Sequence, residues 1–525
     1  MFWLGSSVGR FRTATALAAL IAAGAALGEP QTPGSAQAAV GAPAATAKQA
    51  PPGADAASRP DSAAAPPAQE APSKAEAGAE PAPKPSAAVQ GPNKPPMNQA
   101  IRDALPRDAA EARPATVEMR ALRRAVDAFY ASRGDAPVWL DDHGQWTPAA
   151  HAAFEQLQRA PDDGLDLRAY RVFSLDQGSE KARALGEVAL SEAVAAYAAQ
   201  ASGGRIDPKG VSRQIDVHPP IVPAAQALDQ TSRSADAAKT LEDYNPRQPG
   251  YLALKAKLAE LREAPETTGR IAAAERGRRM SDAPAAYGAR RETNLENDIL
   301  TNMEFWRWLP RDLGADRVVV NVPEFTARLY RDNNLVLPVR VITGKPDKPT
   351  PLFSDKIEYI IVNPSWNVPQ SIIRNELMPH LDALRAQGYE IRYVNGQLHV
   401  RQPPGERNAL GQIKFVFPND YAVYMHDTPT RNLFATSRRA YSHGCVRVDQ
   451  PFRFAEDLLQ PANGWTEERL RKMVGKSERR VNLPAPMPIH IVYFTLSVDD
   501  SGALRRFDDI YGYSRKTREM LGLGS

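Results

Sequence analysis

The stretch Asn302–Pro323, NMEFWRWLPRDLGADRVVVNVP, divides the chain into two kinds of structure. Up to Pro310 it continues a helical spacing that begins at Leu295 and passes through Ile299, Met303 and Trp306. Proline ends that helix, and from Arg317 the β-branched run RVVVNVP takes over. Downstream, ARLYRD, LVLPVRVITG, KIEYIIVN, IKFVF, AVYMH and IHIVYFTLSV are further strand-like runs bounded by Pro, Gly, Asn and Asp. Only Ile372–Leu384 and Phe452–Leu459 read as helices in that half. Upstream the pattern is helical. Met119, Leu122, Val126, Phe129 and Tyr130 mark one helix, Thr147-Pro148 opens a second that turns Phe154 and Leu157 inward, and Leu185, Ala189, Ala193 and Tyr197 mark a third that stops at Gly203-Gly204. Tyr251, Leu254, Leu258 and Leu261 make a fourth. The expected class is α+β, a helical N-terminal domain followed by a β-rich one.

Residues 1–28 have the layout of a secretory signal, with Arg10 and Arg12 ahead of the apolar run Thr13–Leu27 and small residues after it. The run is shorter than the ~20 residues that span a bilayer as a helix, which favours cleavage over a lasting anchor. An uncleaved segment would tether the protein to the membrane. Residues 29–97 are a disordered Ala/Pro-rich linker, because from Gly28 to Pro96 there is no Leu, Ile, Met or aromatic residue to repay the entropy of folding. The helical domain then occupies 98–263, a connector 264–292, the β-rich domain 293–515 and a C-terminal tail 516–525.

A formal charge of +4 without a Lys/Arg block gives no support to nucleic-acid binding. One number stands out: an exported chain of 525 residues holds a single cysteine, Cys445, which has no partner within its own chain. It lies in YSHGCVRV, Tyr441–Val448, between a strand and a helix. A thiol needs a base or a positive charge nearby to become a useful nucleophile. His443 stands two residues before it, and His426 ends the preceding strand in YMHDTP. Gly444 allows a tight turn that brings backbone amides towards a substrate carbonyl. Two of the eight histidines of the chain thus flank its one thiol. The competing readings are an inert buried cysteine with two structural histidines, and a zinc site of His426, Asp427, His443 and Cys445, which lacks the spacing of familiar zinc motifs.

Ser442-His-Gly-Cys-Val-Arg447, with His426 upstream, resembles the signature of the L,D-transpeptidase catalytic domain. NMEFWRWLPRDLG from Asn302, NPSWNVPQSI from Asn363, NALGQIKFVFPN from Asn408, HDTPTRNLFA from His426 and DDIYGY from Asp508 are similar to the larger periplasmic members, and FYASRGDAPVWL and PDDGLDLRAY extend the likeness into the helical half. The resemblance implies a helical scaffold domain and a mixed, β-sandwich-like catalytic domain. It implies that Cys445 attacks a peptidoglycan tetrapeptide stem, that His443 is the general base and acid, and that the thioester passes to the amine of a neighbouring stem as a 3-3 cross-link. The carbonyl of Asp427 would orient His443, with the Asp427 side chain as the rival. The amides of Gly444 and Cys445 would form the oxyanion hole, His426 and Ser442 would orient groups in the site, and Arg447 would hold a substrate carboxylate or a structural ion pair. Carbapenems would acylate Cys445; no metal or cofactor is called for. The larger members commonly carry a peptidoglycan-binding module between the two domains, and the 264–292 segment is too short for one. Hydrolysis of the same thioester, a carboxypeptidase activity, and a non-catalytic wall-binding scaffold remain the alternatives.

Overall fold

Three caps start the long N-terminal helices. Thr116, Thr147 and Ser179 sit in extended backbone, and each accepts an amide hydrogen from the residue three places on. They open α2 (Val117–Ser132), α3 (Pro148–Gln158) and α4 (Glu180–Gly203), which follow α1 (Met97–Ala104). Two shorter helices that the sequence did not announce, α5 (Ala224–Ser232) and α6 (Ala237–Glu242), precede α7 (Pro249–Glu263). The computed structural model describes residues 97–105, 116–170, 174–175, 178–263, 283–460 and 463–524. The expected signal segment, nearly all of the linker and most of the connector lie outside them. No helix among the described residues is long and apolar enough to cross a membrane.

Helix α4 is alanine-rich and buried on most of its faces, so α1, α2, α3 and α5 pack closely around it. It carries one buried carboxylate inward. Glu187 accepts from the Tyr130 hydroxyl at 2.8 Å, from the Trp139 amide at 3.1 Å and from the Val138 amide. Ser191 accepts from Trp139 Nε1 at 2.8 Å. Burial outweighs these bonds and pushes the Glu187 carboxyl up to about 7.

Helix α8 (Ala283–Arg307) begins inside the expected connector and joins the two halves. Arg307 is buried and donates to the Tyr251 hydroxyl at 2.9 Å and to the Asp163 carbonyl. One turn earlier Glu304 accepts from the amides of Arg205 at 2.6 Å and Ile206 at 3.2 Å. The opposite side of α8 meets the sheet domain, where Trp306 stacks on Phe494 with centroids 4.4 Å apart and Phe305 lies edge-on to Tyr493.

The sheet domain contains strands β1 (Arg317–Asn321), β2 (Thr326–Arg331), β3 (Asn334–Gly344), β4 (Ser354–Val362), β5 (Trp366–Asn367), β6 (Glu390–Val394), β7 (Gln397–Gln402), β8 (Ile413–Val416), β9 (Met425–His426), β10 (Ala440–Ser442), β11 (Val446–Val448), β12 (Arg479–Val492), β13 (Leu496–Val498) and β14 (Leu504–Arg506). Nine form one mixed sheet in the order β10-β3-β11-β9-β8-β4-β12-β1-β2, and β2 also pairs with β3. The sandwich-like form expected from the sequence is one sheet rolled until β2 closes onto β3, with β10 added at the edge beyond. It encloses Val320, Leu329, Val341, Ile360, Phe415, Met425 and Ile489 together with Phe452 and Phe454 of α9 (Pro451–Leu459).

Strands β5, β6 and β7 form a separate three-stranded sheet that packs with Ile372, Ile373, Leu377 and Leu384 into a small core of its own, here called the cap. The helix expected at Ile372–Leu384 is broken into a wide π turn at Ile373–Leu377, a 3₁₀ turn at Met378–His380 and a short α segment, Leu381–Ala386. In the C-terminal tail expected at 516–525, helix α10 (Tyr513–Met520) takes in the first half, and the carbonyls of Leu521 and Leu523 accept from Arg205 and Asn297, which docks this segment on the helical half.

Folding raises the Glu187 pKa above that of an exposed glutamate, so the folded form binds this proton more tightly than the unfolded one. Its contribution to stability is complete below about pH 4 and is lost as pH rises to about 7. Glu187→Gln should remove that loss. Its melting temperature should gain on that of the wild type as pH is raised across this range, and two parallel melting profiles would refute the assignment.

Candidate functional site

Strand β9 has two residues and lies between β8 and β11. Its registers align Phe415, Met425 and Val446 in one row and Lys414, His426 and Arg447 in the next. Because side chains alternate between faces, and the first row enters the core, the second row lines the other face. The same alternation brings Tyr424 and Cys445 onto that face. A bond from the Val446 amide to the Tyr424 carbonyl, 3.1 Å, holds Cys445 beside Tyr424 and one step along from His426.

His426 is fixed by its neighbour. Its Nδ1 donates to the carbonyl of Asp427 at 2.5 Å, while Nε2 makes no hydrogen bond among the described residues. The Asp427 side chain turns the other way, accepting from the Gln412 amide at 2.9 Å and from Arg431 at 2.7 Å. Gly411 makes that approach feasible, since a Cβ there would stand 2.4 Å from the Asp427 carboxylate. Burial, with the positive charges of Arg447 and Lys414, lowers the His426 pKa to about 3 against the pull of the Asp427 and Leu410 carbonyls, so the ring is neutral at physiological pH.

The turn before Cys445 is braced by Ser442, whose hydroxyl donates to the Cys445 carbonyl at 2.5 Å and accepts from the Gly444 amide at 3.1 Å. Gly444 has φ +121°, a region closed to residues with a Cβ. His443 is buried, its Nε2 lies 2.8 Å from Oε1 of Glu376 on the cap's π turn, and its Nδ1 makes no hydrogen bond among the described residues. Glu376 is held below the ordinary carboxylate range, first by this bond and also by the positive charges of Lys345 and Lys348, so the carboxylate accepts and Nε2 donates.

Burial pushes the Cys445 thiol up to about 11, in spite of hydrogen bonding to Tyr424 and the positive charges of Lys414 and Arg447. Lys414 lies 3.6 Å over the Tyr424 ring, and burial lowers its own pKa. Arg447 is fully buried and also lowered, to about 10.

The structure therefore gathers Cys445, His443, Gly444, Ser442, His426 and Arg447, and it corrects three expectations. The Asp427 carbonyl orients His426 and not His443, because it is bonded to the former. The Asp427 side chain orients neither, being directed at Gln412 and Arg431. The Gly444 amide, expected in the oxyanion hole, is engaged by the Ser442 hydroxyl. Arg447 is fully buried on the same face, where its charge acts on the thiol. The zinc reading loses its ligand set, since the Asp427 and His443 side chains point to other partners and no metal-holding group occurs among the described residues. Sequence reasoning missed Tyr424 and Lys414, which strand alternation in AVYMH and IKFVF could have pointed to. It also missed Glu376, which no nearby motif announces.

A family model described as the L,D-transpeptidase catalytic domain matches residues 315–464, and one described as a scaffold domain matches residues 124–258. A Haemophilus influenzae protein named "Putative L,D-transpeptidase" is 33% identical over 260 residues, 45% of this chain and 52% of that protein, so the chain spans about half the length of the curated relative it matches. Among solved structures, an L,D-transpeptidase from Mycobacterium smegmatis is 15% identical at a TM-score of 0.19, covering 34% of this chain and 58% of its own. L,D-transpeptidase 3 from Mycobacterium tuberculosis, solved with a faropenem-derived adduct, is 12% identical at a TM-score of 0.19, covering 34% of this chain and 60% of its own. The assignment rests on the two family models and the Haemophilus relative. By these matches, residues 315–464 are similar to the L,D-transpeptidase catalytic domain and residues 124–258, on its N-terminal side, to the scaffold domain.

Proposed function

We propose that the protein is a cysteine acyltransferase of the cell envelope, an L,D-transpeptidase that forms 3-3 cross-links between peptidoglycan stems in the periplasm. The observation that carries the reading is the face shared by β9 and β11, on which an oriented neutral imidazole lies one step along from the chain's one thiol. With the thiol raised to about 11 and His426 lowered to about 3, the resting pair is uncharged. His426 takes the proton as Sγ attacks, in the manner of a serine hydrolase, and no preformed thiolate is required.

In the first half-reaction Sγ bonds to the carbonyl carbon that links the third stem residue to the terminal D-alanine, while the thiol proton passes to Nε2 of His426. The Cys445 amide stabilises the oxyanion. Collapse breaks the C–N bond, and His426 returns the proton to the departing amine. In the second half-reaction the amine of another stem attacks the thioester, the C–S bond breaks, and an amide links the two stems. Water in place of the amine gives the carboxypeptidase outcome. The general-base role is thereby assigned to His426, where the sequence had suggested His443.

Three outcomes test this reading. With purified disaccharide-tetrapeptide, the wild type should give cross-linked dimers on mass analysis. Cys445→Ala should give none, and His426→Ala should lose about 10²–10⁴ of the rate, with EDTA without effect. Tripeptide alone would replace transpeptidation by hydrolysis; dimers from the alanine variant at Cys445 would end the assignment. Second, alkylation of Cys445 by iodoacetamide should be slow at neutral pH and rise with pH towards about 11, as thiolate appears. A fast, pH-independent reaction from pH 6 upward would mean a preformed ion pair. Third, a carbapenem should add its mass to the intact wild type and not to the Cys445→Ala variant.

A further inference from the structure

Two imidazoles share the site with Cys445, each tied at one ring nitrogen and making no hydrogen bond at the other among the described residues. His426 is tied from the sheet by a backbone carbonyl. His443 is tied from the cap by a carboxylate, and its unpartnered Nδ1 belongs to a side chain that is only 4% exposed. We propose that Glu376 is a positioning residue that holds His443 ready to accept a proton from the incoming amine in the second half-reaction. The proposal rests on the thioester reading above.

The tautomer decides the chemistry. Because Glu376 accepts from Nε2–H, the neutral ring offers only a lone pair at Nδ1. Such a nitrogen cannot donate to an oxyanion or to a substrate carbonyl; its natural partner is an N–H. Of the groups that enter this reaction, the acceptor amine brings an N–H proton that must be removed. As its nitrogen bonds to the thioester carbon, that proton moves to Nδ1 and the C–S bond pair returns to sulfur. The imidazolium so formed is stabilised by the Glu376 carboxylate. Transfer of the proton from His443 to the thiolate then restores the resting thiol, so the amine's proton ends on Cys445 and nothing else is consumed.

The location of Glu376 fits this role. It lies on a π turn, a wide helical irregularity often found at functional sites. That turn belongs to the cap, with its own small core, while His426 belongs to the main sheet. The two imidazoles are therefore oriented from separate structural units, His426 by a carbonyl of the sheet and His443 by a carboxylate of the cap. Lys345 and Lys348 face the same carboxylate and favour its ionised form.

The test separates the half-reactions. The enzyme is acylated with a tetrapeptide donor, and thioester formation is followed by intact mass. The acyl-enzyme is then divided between buffer and a saturating acceptor stem. Glu376→Ala should slow aminolysis about 10-fold to 100-fold more than it slows thioester formation, lowering the ratio of dimer to tripeptide. Glu376→Gln, which keeps an oxygen acceptor for Nε2, should fall between the variant and the wild type. His443→Ala should show the same imbalance, whereas His426→Ala should chiefly impair thioester formation. Equal slowing of both half-reactions, with a lowered melting temperature, would mean that Glu376 merely supports the fold and would overturn the proposal, as would unchanged aminolysis in both Glu376 variants. If the wild type itself forms no thioester, the transpeptidase reading fails along with it, a result visible before any variant is compared.

Discussion

The site depends on the pairing of a strand only two residues long. Met425 and His426 are held between β8 and β11, and this register decides which side chains share a face with Cys445. A slip of one residue would send His426 into the core and turn Met425 towards the thiol. Several features protect the register. The Asp427 amide bonds to the Ile413 carbonyl at 2.9 Å, the Asp427 carboxylate binds the Gln412 amide, and Gly411 leaves space for it. The Asp427 side chain, weighed from sequence as an orienter of His443, is instead the clamp that keeps β9 in place.

Burial sets the resting chemistry. Cys445, His426 and Arg447 are all removed from water, and desolvation is the largest influence on each. For thiol and imidazole it acts in the same sense, towards the uncharged form. A thiol kept protonated is also shielded from oxidation, to which an exposed thiolate is most susceptible.

The sequence revealed most where local chemistry and structure coincide. Thr147-Pro148 announced a helix because a cap and a proline at the first position have one common use, and Gly203-Gly204 marked a helix end for a similar reason. The β-rich half was legible from its β-branched runs. The first part of β12 was not, because Pro484, Pro486 and Pro488 look like breakers; the strand accommodates them with a break in its pairing to β4 between Asn482 and Met487. The β6–β7 hairpin carried its signal in Asn395-Gly396, both at positive φ, and was overlooked. In the site, Cys445 and the two histidines were visible as a cluster. Which histidine takes the Asp427 carbonyl was not, since that depends on long-range pairing, and Glu376 reaches His443 from a different structural unit.

Helix α8 crosses the line that the sequence draws between the two halves. Glu304 and Arg307, both nearly inaccessible to water, find their partners among residues of the helical half, while Phe305 and Trp306 find theirs in Tyr493 and Phe494 of the sheet half. Cutting the chain before α8 would strand two charges in an apolar seam; cutting after it would strip the sheet of its aromatic cover. The boundary visible in the sequence is therefore not a boundary in cohesion. The two halves form one inheritable unit, in which a change on the scaffold's inner surface is felt by the sheet that carries the thiol.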